Sequence, residues 1–375
     1  MSNHPNINQT FGATMHLHPR HERILAELRI HGSLSVTDFA AHENISAMTV
    51  RRDLGELADR GLLRRVHGGA VTVETDPTGG MVSRPVPRRT ANDGRALFTL
   101  GLIVPDPGYY YPNIVGGVVE RTTALGGRVV LRVSGYDADH ERQQIESLIT
   151  GGVDGLLVTT TVADAYPTFE RLEAAPMPVV AVERAVADAP VGYTLESVRS
   201  DHDAGAATAV RHLAELGHRR IGVASFDTPT SRQILSGHRR AVQHLGLADD
   251  APVETIDETS GVARQTTAFL ERCRATGTTA VLVHSDHYAL DFVATAMDLG
   301  VSIPGDLSVV AYDDEVAQLA AVPLTAVAPP KHDVGRFAAT ACFERISAVG
   351  QTPFAQRHIT LTPTLTVRDS SAPPR

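Results

Sequence analysis

Two adjacent arginines, Arg51 and Arg52, follow Ser46-Ala47-Met48-Thr49-Val50 in a stretch whose apolar residues recur at helical spacing. Ser46 is a good N-cap, and Val50, Leu54 and Leu57 fall at i, i+4 and i+7, so they share an inward face. Ala47, Met48, Arg51 and Arg52 are then left toward solvent near the helix start. Guanidinium groups in that position have the fork geometry to bond guanine edges or to pair with phosphates. An amphipathic helix also solvates arginines that have no partner, so the surroundings of the pair must decide between the two.

Other constellations carry less chemistry. His16, His18 and His21, or His284 with His287, have the donor type for a metal, but nothing supplies a third ligand at the usual spacing. Gly116-Gly117 and Gly151-Gly152 match neither the phosphate-binding loop nor the dinucleotide fingerprint. Asp201 and Asp203 have the look of a catalytic acid pair, yet they sit where a helix begins, and N-terminal capping accounts for one of them. No nucleophile or cofactor motif is found, so neither an enzyme nor a bound cofactor or metal is expected. Cys273 and Cys342 are the only cysteines and build no disulfide framework, for which a reducing cytoplasm is the simplest home.

The elements that must position these residues fall into three zones. At 375 residues the chain is too long for one ordinary core, and 42% hydrophobic with 21% charged residues fits a globular protein. No apolar run is long enough to span a bilayer, and the first twenty residues have no continuous apolar stretch, so they read as a disordered start and not as a secretory signal. Residues 20–73 are dense in short helical patterns, 74–96 read as a linker rich in Pro and Gly, and from Leu97 strand runs alternate with amphipathic stretches. Net charge is −9 overall, but residues 1–95 carry 12 arginines against 10 acidic side chains, whereas the remainder carries 22 basic against 33 acidic ones. A mildly basic head on an acidic body is the pattern that local phosphate binding produces.

Strands are expected at Leu97–Val104, Arg128–Val133, Gly155–Val158, Val179–Val182, Ile221–Ala224, Ala280–Val283 and Leu307–Ala311. These runs of Val, Leu and Ile fit strands covered on both faces in a parallel sheet. Helical stretches between them, such as Glu141–Thr150, Ala204–Leu216 and Tyr288–Leu299, argue a doubly wound α/β architecture split into two lobes. In the head, a first helix carries Ile24, Leu25 and Leu28, Ser35 can cap a second, Ser46 caps a third, and Leu62–Val66 with Ala70–Val73 flank His67-Gly68-Gly69 as a hairpin, or wing.

With its stretches ISAMTVRRDL and GLLRRVHGGA, the segment 20–73 resembles the winged helix-turn-helix of the DeoR family. That resemblance implies binding to double-stranded operator DNA, through Ser46, Met48, Thr49, Arg51, Arg52, Arg64, Arg65 and His67. From about residue 97 to 370 the chain resembles the ligand-binding domain of LacI/GalR-type repressors, a relative of periplasmic sugar-binding proteins. The matching stretches are FTLGLIVPD, VDGLLV, PVVAVER, LAELGHRRIGVAS, HSDHYAL, LGVSIPGDLSVVAYDD, PLTAV and LTPTLTVRDS, and YYYPNIVGGVVE resembles the arabinose-repressor branch.

This second resemblance implies a periplasmic-binding-protein-like (type I) domain: two α/β lobes crossed three times by the chain, with a ligand between them. Tyr110 and Tyr111 stand where the family has paired aromatics, Glu183 and Arg184 where it often has Asp-Arg, Ser285-Asp286 where Asn-Asp is common, and Asp313 at its acidic strand end. Aromatic faces and carboxylates of this kind suit a sugar. Ile234 replaces a ligand-clamping arginine, with Arg232 two residues earlier, and Ser285 replaces the usual Asn, so the pocket is wired differently from the best-known members. For Arg232 and Tyr110, ligand contact and lobe packing stand open as alternatives. The short minor-groove helix of LacI-type repressors is replaced here by a linker.

The expected organisation is a disordered tail at 1–19, a head at 20–73, a linker at 74–96 and a ligand-binding domain at 97–370. Lobe 1 is expected at about 97–195 and 315–348, and lobe 2 at about 196–314 and 349–370. The function expected is a cytoplasmic, homodimeric repressor with no membrane association, controlled by a small effector, a sugar such as a pentose. A transport-type sugar-binding protein without a DNA role, or an α/β enzyme, would leave the head unexplained.

Overall fold

The computed structural model describes residues 19–72, except 32, 37–38, 41–42, 44, 61 and 67–68, and residues 98–375, except 162–165, 185, 187–191 and 349–354. The chain divides into two units, Met1–Arg88 and Arg89–Arg375, with the boundary inside the expected linker.

In the head, helix α1 (Pro19–His31) and helix α2 (Ala47–Asp59) pack with the described part of an intervening helical segment at Val36, Phe39 and Ala40. Strands β1 (Ser33–Ser35), β3 (Gly69–Thr72) and β2 (Leu63–Val66) form an antiparallel sheet in that order. Ser46 caps α2 as expected, accepting a hydrogen bond from Thr49 N at 3.1 Å. Ile24, Leu28, Val50, Leu54, Leu57 and Leu63 make the head core, which confirms the inward face read from the spacing. Strand β1 was not anticipated. Three residues carry too little pattern, and Ser35 is a strand residue only because it pairs with Gly69.

The larger unit has two sheets, each with helices on both faces. One runs β14-β8-β7-β6-β4-β5 and is wholly parallel, comprising β4 (Thr99–Val104), β5 (Arg128–Val133), β6 (Gly155–Val158), β7 (Val179–Val182), β8 (Glu196–Ser200) and β14 (His358–Leu361). The other runs β10-β9-β11-β12-β13-β15, comprising β9 (Ile221–Phe226), β10 (Val253–Ile256), β11 (Ala280–His284), β12 (Ser308–Tyr312), β13 (Thr325–Ala328) and β15 (Thr364–Thr366). In this second sheet, among the described residues, only β15 is antiparallel to its neighbour. Successive strand residues feed opposite cores: Leu100, Leu102 and Val104 join one cluster and Ile103 the other, as the two-residue repeat of a strand requires.

Strand pairing moves the lobe boundaries from those expected. Residues 196–200 belong to the first lobe's sheet through β7, residues 325–328 to the second through β12, and 358–361 return to the first before 364–366 rejoin the second. The three crossovers therefore lie at 201, at 329–330 and at 362–363. The strands involved are short and mixed in polarity, so only their neighbours reveal which sheet they join.

Helices α3 (Tyr111–Ala124) and α10 (Lys331–Ser347) pack on each other in the first lobe. Their approach depends on two glycines. A Cβ on Gly117 would lie 2.0 Å from His332 O, and one on Gly335 would lie 2.1 Å from Ile114 O. Gly117 is thus a packing residue, and this contact fixes the start of α10 beside the loop that precedes α3.

Candidate functional sites in the head and between the lobes

On the head, Met48 is 71% exposed and Arg51 and Arg52 are exposed on the same side of α2, while Ala47 is partly packed against the core. Thr49 Oγ1 lies 2.8 Å from Ser46 Oγ, and Arg52 Nε is 3.9 Å from Glu56 Oε1, a weak contact between exposed groups. Arg64 and Arg65 lie in β2 with side chains outside the described residues, and His67 lies outside them altogether. Asp53, next to the arginine pair, was not singled out from sequence. It is 1% exposed, accepts hydrogen bonds from Arg20 Nε and, at 3.0 Å, from Arg20 Nη2, and lies 3.5 Å from His21 Nε2. It ties α1 to the helix that carries Arg51 and Arg52. The signal was an acid on the buried face formed by Val50, Leu54 and Leu57.

Between the lobes, groups from both sides converge. From the first lobe, the loop 105–110 presents Tyr109 and Tyr110, β7 ends at Glu183, and α10 begins at Lys331. From the second lobe, helix α9 (Asp286–Asp298) begins at Asp286, and β12 is followed by Asp313 and Glu315. Tyr109 Oη donates to Asp286 Oδ1 and lies 3.0 Å from Asp313 Oδ2. Tyr110 Oη donates to Glu183 Oε1 at 3.2 Å, and Lys331 Nζ sits 4.9 Å above the Tyr110 ring. Lys331 Nζ also donates to Asp313 O and pairs with Glu315 Oε1 at 2.7 Å.

The buried carboxylates differ in how fully they are used. Glu183 accepts from Ser200 N at 3.0 Å and Ser200 Oγ at 2.8 Å, with His202 Nε2 3.4 Å away. Burial works to raise its pKa, but His202 and Ser200 outweigh this and hold it below the ordinary carboxylate range. Asp286 accepts from the amides of Glu315, Val316 and Ala317 at 2.6, 2.7 and 3.0 Å, so one oxygen locks the loop after β12. Asp313 has less support: burial raises its pKa to about 6, against the opposing pull of Lys331. His284 Nε2 is 4.0 Å from Asp313, and burial lowers its pKa to about 3, so it stands there as a neutral imidazole with Nδ1 2.8 Å from Ser225 Oγ.

The remaining expected residues separate. Arg184 donates to Thr160 O and Glu183 O and also reaches Tyr111, so its guanidinium braces the first lobe's own backbone. Tyr111 is buried in that lobe's core and Tyr110 lies across it, edge to face at 5.5 Å. The Ser285 side chain reaches the Tyr109 phenol, and Arg232 is exposed on helix α7 (Ser231–His244), whose Ile234 is core. Asp201 caps helix α6 (His202–Glu215) through Ala204 N at 3.0 Å, and Asp203 pairs with Arg240 at 3.0 Å, so neither acid is free for catalysis. Tyr109, His202, Glu315 and Lys331 were missed. Tyr109 adjoins the expected aromatic pair, and Lys331 is the only lysine in the chain, a signal present in the bare composition.

Residues 20–76 match the DeoR-like helix-turn-helix domain, and residues 210–371 match the periplasmic binding protein-like domain. The chain is 28% identical over 322 residues to an arabinose metabolism transcriptional repressor of Geobacillus stearothermophilus, covering 82% of this chain and 83% of that one. It is 29% identical over 348 residues to the HTH-type transcriptional regulator MalR of Streptomyces coelicolor, covering 90% and 96%. A solved complex of the transcriptional regulator CelR with cellobiose superposes with a TM-score of 0.62 at 26% identity, over 72% of this chain and 84% of that one. The chain is a transcriptional regulator that joins a DeoR-like helix-turn-helix domain to a two-lobed periplasmic-binding-protein-like domain.

Proposed function

We propose that this regulator is a cytoplasmic homodimeric repressor whose operator affinity is set by a sugar held between the two lobes. In this reading the start of α2 enters the major groove, with Ser46, Met48, Thr49, Arg51 and Arg52 toward the DNA and the wing residues Arg64, Arg65 and His67 beside it. The observation that carries the effector half is the convergence of Tyr110, Asp286 and Asp313, with Tyr109, from both sides of a cleft crossed three times by the chain. Phenol rings and carboxylates are the groups that pack on C–H faces and accept from adjacent hydroxyls. The relative named for arabinose metabolism and the cellobiose complex of CelR support a neutral sugar as the class. Glu183 and Arg184 serve by holding the cleft wall, Ser285 by orienting the tyrosine, and Arg232, exposed at the start of α7, by contact with the ligand.

A single head covers one half-site, so two copies are needed to read an operator with two half-sites, and the acidic body supplies the contact between them. The experiment is a thermal-shift screen of the full chain against pentoses, hexoses and their phosphates, followed by operator titration with each stabilising compound. A ligand that binds only the native state raises the melting temperature, and linkage requires that it change operator affinity if the body is the sensor. Stabilisation by a sugar with no change in operator affinity would defeat the regulatory half of the proposal.

A further inference from the structure

Tyr109 joins the lobes in a way that its neighbours do not. Its backbone φ is 45°, in the left-handed region that non-glycine residues rarely adopt, and Asp106 Oδ1 holds the loop by accepting from Gly108 N at 2.8 Å. The phenol of this first-lobe residue reaches two carboxylates of the second lobe, and its ring stands edge-on to His287 at 6.1 Å. Around it, Asn113 Nδ2 donates to Glu315 at 3.2 Å, and Lys331 holds Glu315 and Asp313 O from the first lobe's side.

The two carboxylates are not equivalent partners. Asp286 is saturated, taking three backbone amides on one oxygen and the phenol on the other. A phenol carries one O–H and serves one acceptor at a time, so its 3.0 Å contact with Asp313 needs a proton from elsewhere. Asp313 is therefore the carboxylate that gains most from a new donor. An effector hydroxyl is such a donor.

We infer that Tyr109 is an internal competitor for the effector: its phenol ties the lobes by bridging Asp286 and Asp313, and a sugar hydroxyl that binds Asp313 takes the phenol's place there. This inference rests on the reading of the cleft as the effector site, and the test separates the two. Because Lys331 is the only lysine and is 5% exposed, its acetylation rate reports opening of the tie. The full chain is treated with an N-hydroxysuccinimide acetate ester, with and without L-arabinose, D-ribose or cellobiose, and labelling of Lys331 is followed by peptide mass spectrometry. Cys273 and Cys342, both buried, are followed with a thiol reagent in the same samples as a check on folding.

Tyr109→Phe is expected to raise the Lys331 rate at least ~10-fold while both thiols stay unreactive, and to lower several-fold the sugar concentration that gives half-protection. Asp313→Asn, whose amide donates to the phenol, is expected to keep the parental rate. A parental rate in Tyr109→Phe, or thiols that react in step with Lys331, overturns the tie. Equal sugar protection of parent and Tyr109→Phe overturns the competition. Faster labelling in Tyr109→Phe with no protection by any of the three sugars in either protein leaves the tie standing, and the effector reading of the cleft falls with the competition.

Discussion

Replacing Asp53 by Asn tests whether the first helix of the head holds the arginine-bearing helix in register. Asp53 is 1% exposed, and both its oxygens accept from Arg20. Burial works to raise its pKa, but Arg20 and His21 outweigh this and place it below the ordinary value. A depressed carboxyl contributes its stability above its unfolded pKa of about 3.9, and that contribution is lost as pH falls through the folded value. Asn keeps the shape and one acceptor but has no charge. Hydrogen bonds to charged groups contribute about 1.5–3 kcal/mol, and breaking a fully buried pair costs about 3–5 kcal/mol. The Arg20 side chain is 20% exposed and regains water, so the lower end applies, about 2 kcal/mol. A head of this size holds a total stability of only about 3–8 kcal/mol, so the loss is a large fraction. At about 4–8 °C per kcal/mol for a small domain, the head transition should drop by about 8–16 °C. Scanning calorimetry of the full chain, with the head transition assigned by parallel loss of operator binding, measures it. A head transition within 2 °C of the parent, with operator affinity unchanged up to 37 °C, refutes the reasoning.

Arg51→Ala or Arg52→Ala should cost about 1–3 kcal/mol of operator binding and relax specificity if the arginine reads a base, or lower the salt slope by about 1 if it contacts phosphate; gel-shift titrations across salt concentrations distinguish these, and a parental result for both removes α2 from the interface. Asp313→Ala should abolish the sugar response and leave sugar-free operator binding intact, because Asp313 lies in the body and not in the head; a parental response would remove Asp313 from the effector site. For the same carboxyl, a folded value of about 6 lies above the unfolded value of about 3.9, so the folded state binds the extra proton between them. Body stability should therefore fall as pH rises from about 4 to 6, by at most ~3 kcal/mol, and Asp313→Asn should flatten that slope in urea titrations. Gly117→Ala should destabilise the body by about 1–3 kcal/mol despite the better helix propensity of alanine, since its Cβ would meet His332 O at 2.0 Å; a variant as stable as the parent would show that α3 and α10 can separate.

What the sequence by itself determined is whatever local patterning writes down. The period of Val50, Leu54 and Leu57 set the buried face of α2, Ser46 marked its start, and runs such as Gly155–Val158 and Val179–Val182 appeared as strands at the positions expected. Each of these depends on neighbours within a few residues, so composition and spacing suffice. Strands β8, β13, β14 and β15 escaped because each is three to five residues long and acquires its identity from a partner far along the chain. The site divides in the same way. The resemblance to LacI/GalR-type ligand-binding domains put Tyr110, Asp286 and Asp313 on the candidate list, but only tertiary structure decided that Arg184 is consumed by backbone carbonyls, that three amides share one oxygen of Asp286, and that Tyr109 reaches the opposite lobe. The reason is physical: a side chain's role depends on which of its donors and acceptors are already satisfied, and in this protein a satisfying group can lie 204 residues away in sequence, as between Tyr109 and Asp313, or 219, as between Arg121 and Thr340.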